Sequence, residues 1–200
     1  MKKTLMMVAM WALGAGSALG ETVLPEGYTA VEYIESTTGG GQFINTGYKP
    51  NLSTVITAEF YSMTRSQGWG VFFGVTGNDS SLDGILLRYY DNSNDLNGWF
   101  CNSDWGTPRI SDDFANKDLA VELKANSLTI NGTSYGIDTK DNTPYDGPIY
   151  LFCGNNGGEA WRHQAMRLYS FKITEGEEVK RNFVPCVRVS DFAVGLYDLA

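Results

Sequence analysis

Histidine is nearly missing from this chain: His163 is the only one in 200 residues. A zinc or iron centre built on several imidazoles is therefore poorly supported. No nucleophile motif accompanies that histidine, so acyl transfer through a Ser–His or Cys–His pair has no basis in the sequence. Cysteine is scarce too: Cys101, Cys153 and Cys186, with no Cys-x-x-Cys spacing. An odd count leaves at least one thiol unpaired in a monomer. Two readings stay open, a Cys153–Cys186 disulfide between predicted strand regions of the C-terminal half, or buried reduced thiols acting as small hydrophobes. Charge is sparse, 19% of residues, and basic groups are in deficit, 15 against 23 acidic. A formal charge of -8 with no basic stripe argues against nucleic acid or anionic lipid as a partner.

Long apolar runs are also missing, except at the start. Lys2-Lys3, then Leu5 to Leu13, then Ala18-Leu19-Gly20 is the pattern of a secretory signal peptide over residues 1–20. The run is short and wrongly flanked for a stable membrane span, the alternative being an uncleaved N-terminal anchor. Export makes a disulfide chemically permissible and predicts a secreted or cell-surface protein. Without Lys2 and Lys3 the count becomes 13 basic against 23 acidic, a charge of -10. No later window approaches a membrane-spanning length, so no membrane insertion of the mature chain is expected.

What the chain has is glycine (23), aromatics (13%) and many short alternating runs. Residues 21–27 read as a lead-in and 28–200 as one domain, for which the length suffices. Thr54 to Tyr61 alternates, with Ile56, Ala58 and Phe60 on one face. Trp69 to Val75 is apolar on both faces and reads as a covered central strand, with Trp69 in the core. Leu119, Val121 and Leu123 share a face, as do Leu128 and Ile130, and Asn131-Gly132 marks a hairpin turn. Ser111-Asp112-Asp113 could cap one helical turn, and Gly154 to Gly158 reads as a loop. In the run Arg167 to Asp198, Tyr169, Phe171 and Ile173 are expected on one face, Leu168, Ser170 and Lys172 on the other. A Gly176 turn follows, then a second strand that ends at Pro185, which cannot donate to a ladder. About a dozen short strands at this spacing predict an all-β, antiparallel two-sheet β-sandwich.

Two segments carry a family resemblance. RLYSFKI, RNFVP and VGLYD (Arg167 to Asp198) resemble the closing segment of the concanavalin A-like lectin/glucanase (LamG-like) jelly-roll domains of bacterial secreted proteins. Tyr33 to Thr37 with Gln42 to Gly47 is similar to that family's opening segment. The resemblance brackets Tyr28 to Asp198. It implies a concanavalin A-like jelly roll and recognition of a glycan or a surface protein. Glucanases of the family use a Glu-x-Asp-x-x-Glu strand, and this chain has no such pattern. A non-catalytic binding or adhesion module is therefore expected, with carbohydrate as the ligand class. The alternative is a structural or protein-interaction domain without a small ligand, and a glycoside hydrolase comes last.

Sugar sites need an aromatic platform and a few placed polar groups. Trp99 and Trp105 flank Asn102 and Asp104; Trp161 follows Asn155 and precedes Arg162 and His163. Trp105 and Trp161 are the leading platform candidates, with core packing the competing role for each tryptophan, and more so for Trp99. Arg88 lies between Leu87 and Tyr89 on the opposite face, where it would project toward a ligand or solvate the sheet. Asp91, Ser93, Asp95 and Asn97 put oxygen side chains on alternate positions, which admits a structural calcium at Asp91 and Asp95. Asn and Asp are equally ordinary turn residues. No cofactor is required by any of these readings.

Overall fold

The computed structural model describes residues 23–37, 41–65, 68–77, 83–101, 109–139 and 144–200. The signal-peptide stretch, Asn102, Asp104 and Trp105 lie outside the described residues. In chain order the strands are β1 (Tyr28–Ala30), β2 (Ile34–Glu35), β3 (Ile44–Asn45), β4 (Thr54–Ser62), β5 (Val71–Thr76), β6 (Ile85–Tyr89), β7 (Leu96–Phe100) and β8 (Arg109–Ile110). They continue as β9 (Lys117–Lys124), β10 (Ser127–Ile130), β11 (Thr133–Gly136), β12 (Tyr150–Leu151), β13 (Gly154–Asn156), β14 (Glu159–Trp161), β15 (Met166–Glu175), β16 (Glu178–Arg188) and β17 (Val194–Asp198). Among the described residues there is no helix, and hence none long and apolar enough to cross a membrane.

The strands form two sheets, the all-β sandwich expected from the sequence. The first runs β1-β16-β15-β4-β9-β10-β11, with β17 on β16 and β2 on β15. The second runs β14-β13-β5-β6-β7-β8, with β12 joining β3 to β5. Strand pairs are antiparallel apart from β13 beside β5. The inward faces meet over Ile56, Phe60, Phe73, Leu123, Leu168 and Phe171, all buried. Phe73 meets Phe171 edge-on across the sheets, centroids 5.3 Å apart. Each such ring contributes about 1.5–3 kcal/mol by burial. Gly98 faces this core because a Cβ there would lie 2.7 Å from Leu128. Asn131 (φ 49°) and Gly132 (φ 81°) close β10 to β11 with the backbone of a type I′ turn.

Several local expectations are corrected. A β-bulge between Leu168 and Ser170 shifts the phase of β15. Leu168 therefore joins Phe171 and Ile173 in the core, while Tyr169 turns outward and its hydroxyl donates to Asp118. Pro185 does not end β16. It sits in the gap between the β15 and β1 pairings, where its carbonyl accepts from Val31 and no ladder N–H is needed on that side. Asp112 and Asp113 cap no helix; each carboxylate accepts from a nearby backbone N–H. The Gly154 to Gly158 stretch is a strand and tight turn rather than a loop. All three cysteines are free and buried, so Cys153 and Cys186 are not bridged. Burial pushes the Cys101 and Cys153 thiols up to about 12, which keeps them protonated and unreactive at neutral pH.

Candidate functional site

Strand alternation sends Leu86, Arg88, Asn97 and Trp99 to the outward face of the second sheet. That face is nonetheless covered. Val71, Leu86 and Trp99 form a small apolar cluster separate from the main core, with Trp161 packed against it. Arg88, 1% exposed, lies within it. Its guanidinium sits 4.4 Å from the Trp69 ring centroid and 4.8 Å from that of Trp99, and its Nε donates to Asn97 Oδ1 at 3.0 Å. The two rings and the amide offset the cost of desolvating the charge.

The stack continues toward solvent. Arg162 lies 4.1 Å over Trp161 and 5.7 Å from Trp69. Trp69 meets Tyr90 at 4.9 Å, tilted 57°. Arg109 lies 5.2 Å over Tyr90. Trp69, Tyr90, Trp161 and Arg162 are each half-buried, so the ladder presents ring edges and cationic groups at the surface. Two of its members are held in the left-handed backbone region, Trp69 at φ 59° and Arg162 at φ 51°. That conformation costs a bulky residue about 1–2 kcal/mol. It is held by hydrogen bonds from Trp69 N to the Asp91 carbonyl and from Val71 N to the Arg162 carbonyl.

Beside Tyr90 the surface dips into an open depression of about 190 Å³, lined by Tyr90, Asp91, Asn92, Ser93 and Arg109. Ser93 Oγ donates to the Tyr90 carbonyl at 2.6 Å and fixes the loop. Arg65 Nη1 donates to the Ser93 carbonyl at 3.3 Å. Arg109 Nε donates to Asp95 Oδ2. Burial holds His163 below the ordinary imidazole range, against a hydrogen bond at the Gly41 backbone that favours the charged form.

The sequence candidates separate on this geometry. Trp161 is on the ladder and accessible. Trp99 is buried, though on the outward side of the sheet rather than in the main core. Trp69, expected in the core, is a half-exposed ladder member, because the strand begins only at Val71 and its backbone turns left-handed first. Arg88 does not project toward a ligand, since two indoles enclose it. Asn155 is buried and structural: its amide donates to the Pro148 carbonyl at 2.7 Å and accepts from Gly158 N at 2.7 Å, closing the β13–β14 turn. Asp95 is engaged by Arg109, Asn97 by Arg88, and Asp91 Oδ1 by Asn92. Among the described residues no three His, Cys, Asp or Glu side chains converge on a point that could hold a metal.

Tyr90 and Arg109 were not legible as site residues. Tyr90 follows a strand residue of the same type, and β8 is two residues long, too short to show a period. The first sheet carries a larger shallow depression, about 310 Å³, between Thr57, Glu59, Glu122, Thr129 and Ser170. No aromatic residue lines it.

No family model and no curated protein matches the chain. Among solved structures, the CBM40 of the Ruminococcus gnavus IT-sialidase, bound to alpha2,3 sialyllactose, is similar at a TM-score of 0.44 and 13% identity. The match covers 70% of this chain and 90% of that one. At that distance the likeness bears on neither the site nor its ligand.

Proposed function

We propose that this chain is an exported, non-catalytic binding module of the concanavalin A-like type, and that it takes a glycan against Trp69, Tyr90 and Trp161. The ladder carries the reading. Trp69 and Arg162 both hold a left-handed backbone while half-open to solvent, a strain of the kind that clusters at functional sites. Trp69 meets Tyr90 at the edge of a depression lined by an aromatic ring, an amide, a hydroxyl and charged groups. A sugar offers the matching pair of surfaces, apolar C–H groups for the ring edges and hydroxyls for the polar groups.

The test is intrinsic tryptophan fluorescence of the mature chain against soluble polysaccharides, in calcium and in chelator. A saturable shift is expected, weakened roughly tenfold or more by Trp161→Ala, the scale of losing one stacked ring. Trp105→Ala is the companion variant for the neighbouring stretch with Asn102 and Asp104. Equal binding with and without calcium is expected, because Asp95 is already engaged by Arg109. A folded chain that stays silent across the panel would reject the glycan reading.

One observation favours the second reading, a protein-interaction domain. Phe192 is 79% exposed and Val189 53% exposed at the β16–β17 turn, and Phe192 holds φ 57°. An apolar pair presented this way suits a protein partner. If it serves one, Phe192→Ser will abolish self-association or partner capture without changing the fluorescence titration.

A further inference from the structure

Arginine is unevenly placed. Of the seven in the sequence, Arg65, Arg88, Arg109 and Arg162 lie on or at the rim of the second sheet's outward face. The lysines of the described strands, Lys117, Lys124, Lys172 and Lys180, belong to the first sheet, and Lys49 pairs with Asp146. Among the described residues, Asp91 and Asp95, Asp113 bonded to Asn94, and Glu159 at the edge strand β14 stand against these arginines. A chain of formal charge -8 thus gathers most of its arginines, rather than its lysines, around its aromatic ladder.

Arg109 is the member built to reach a ligand. Its side chain is 52% exposed, lines the depression and lies over Tyr90. The carboxylate of Asp95, only 12% exposed, takes its Nε. An ion pair this exposed on one side adds little to stability, so fold stability alone gives little reason for it. Its geometric effect is larger: with Nε held, the guanidinium is oriented and its two Nη groups remain as a fork. A planar fork of parallel N–H donors matches two oxygens of a carboxylate or sulfate, which a lysine cannot reproduce.

We infer that the ligand is an acidic glycan, and that Arg109, positioned by Asp95, pairs with its carboxylate or sulfate while the sugar lies against the exposed edges of Tyr90 and Trp69. This rests on the glycan-binding reading above. The Asp91 carboxylate accepts from Asn92 Nδ2 at 3.1 Å.

The experiment titrates the mature chain calorimetrically with four probes: oligogalacturonate, its carboxyl-reduced counterpart, a sulfated heparin fragment, and the same fragment desulfated. One acidic member is expected to bind roughly tenfold or more tighter than its neutralised counterpart, the scale of a charge-assisted hydrogen-bond pair. The pair that separates identifies carboxylate or sulfate as the group read. Arg109→Lys keeps the charge and loses the fork. It should lose most of the acidic preference with an unchanged Tm. Equal affinity for acidic and neutralised members would overturn the inference and leave the glycan reading standing, as would an Arg109→Lys variant with full acidic preference. Binding to none of these probes or of the wider panel would take down both.

Discussion

The two outward faces of this sandwich come from the same alternation and end in opposite states. On the first sheet, Glu59, Ala120, Lys124 and Lys172 are exposed, with threonines and serines between them. On the second, Leu86, Arg88, Asn97 and Trp99 are buried although they point away from the core. The difference lies in what each face carries. Short polar side chains are stable in water where they stand. Indoles and a leucine gain by covering one another, and a guanidinium drawn in among them must find rings and an amide to replace water. The second sheet has therefore a second, smaller core on its outer side, and among the described residues its margin, Trp69, Tyr90, Trp161 and Arg162, is partly open to solvent.

Truncating the small core should separate the faces most sharply. Trp99→Ala removes a buried indole and is expected to cost about 3–5 kcal/mol. In a domain of this size that lowers Tm by about 10 °C or more. Thr57→Ala on the first sheet should stay within about 0.5 kcal/mol. Thermal unfolding of the pair reads both. Comparable small effects would mean the outward face of the second sheet is not a core at all.

The next largest effect belongs to charge. Arg88→Met keeps much of the apolar volume but leaves Asn97 Oδ1 without its donor and the two indoles without the cation between them. A loss of about 2 kcal/mol is expected, from the buried acceptor together with the ring contacts. Lys172→Met, the equivalent change on the exposed face, should be close to neutral. Denaturant midpoints at constant slope would report this pair. An Arg88→Met variant as stable as the parent would show that the charge adds nothing to the packing of the sheet.

Much of this contrast was written in the residues, and part was not. Ile56, Ala58 and Phe60 against Thr57 and Glu59 announce one covered and one solvated face, and the first sheet follows that pattern. The run VFFGV announces a strand covered twice, and β5 is. Single-residue phase errors defeated the rest. The bulge at Ser170 exchanges Tyr169 for Leu168, and the left-handed turn at Trp69 lifts a tryptophan out of the core and onto the ladder. A period-2 reading carries no information about where an extra residue is inserted. Pairings distant in sequence were also hidden: Arg109 with Asp95 and Tyr90, and Arg162 with Trp69, meet only once the sheet is assembled. Trp161, chosen from local context, stands half-open on the ladder, while Arg88 and Asn155, chosen on the same grounds, serve the fold.

The smallest expected effects distinguish the faces by pH. His163 is the chain's only histidine, and burial depresses its affinity for protons in the folded state. The unfolded chain then binds more protons than the folded one below the ordinary imidazole value of about 6.5, so stability is full above that pH and declines as pH falls beneath it. On the first sheet a carboxylate acts in the same direction, from an ion pair rather than from burial. Arg188 holds the Asp191 carboxyl down to about 2, helped by the Ala193 amide. That contribution is present above the ordinary value of 3.8 and disappears as pH falls toward 2. Because the Arg188–Asp191 pair is solvent-exposed, its part should be slight and should fade further in salt. Stability followed from pH 8 to pH 2 should therefore show a first decline below about 6.5 that His163→Gln removes. A second, salt-sensitive decline below 4 should be reduced by Asp191→Asn. If His163→Gln leaves the upper part of the profile unchanged, the imidazole is as well solvated in the fold as out of it, and the covered margin at Val71 and Trp69 is looser than the packing of its neighbours requires.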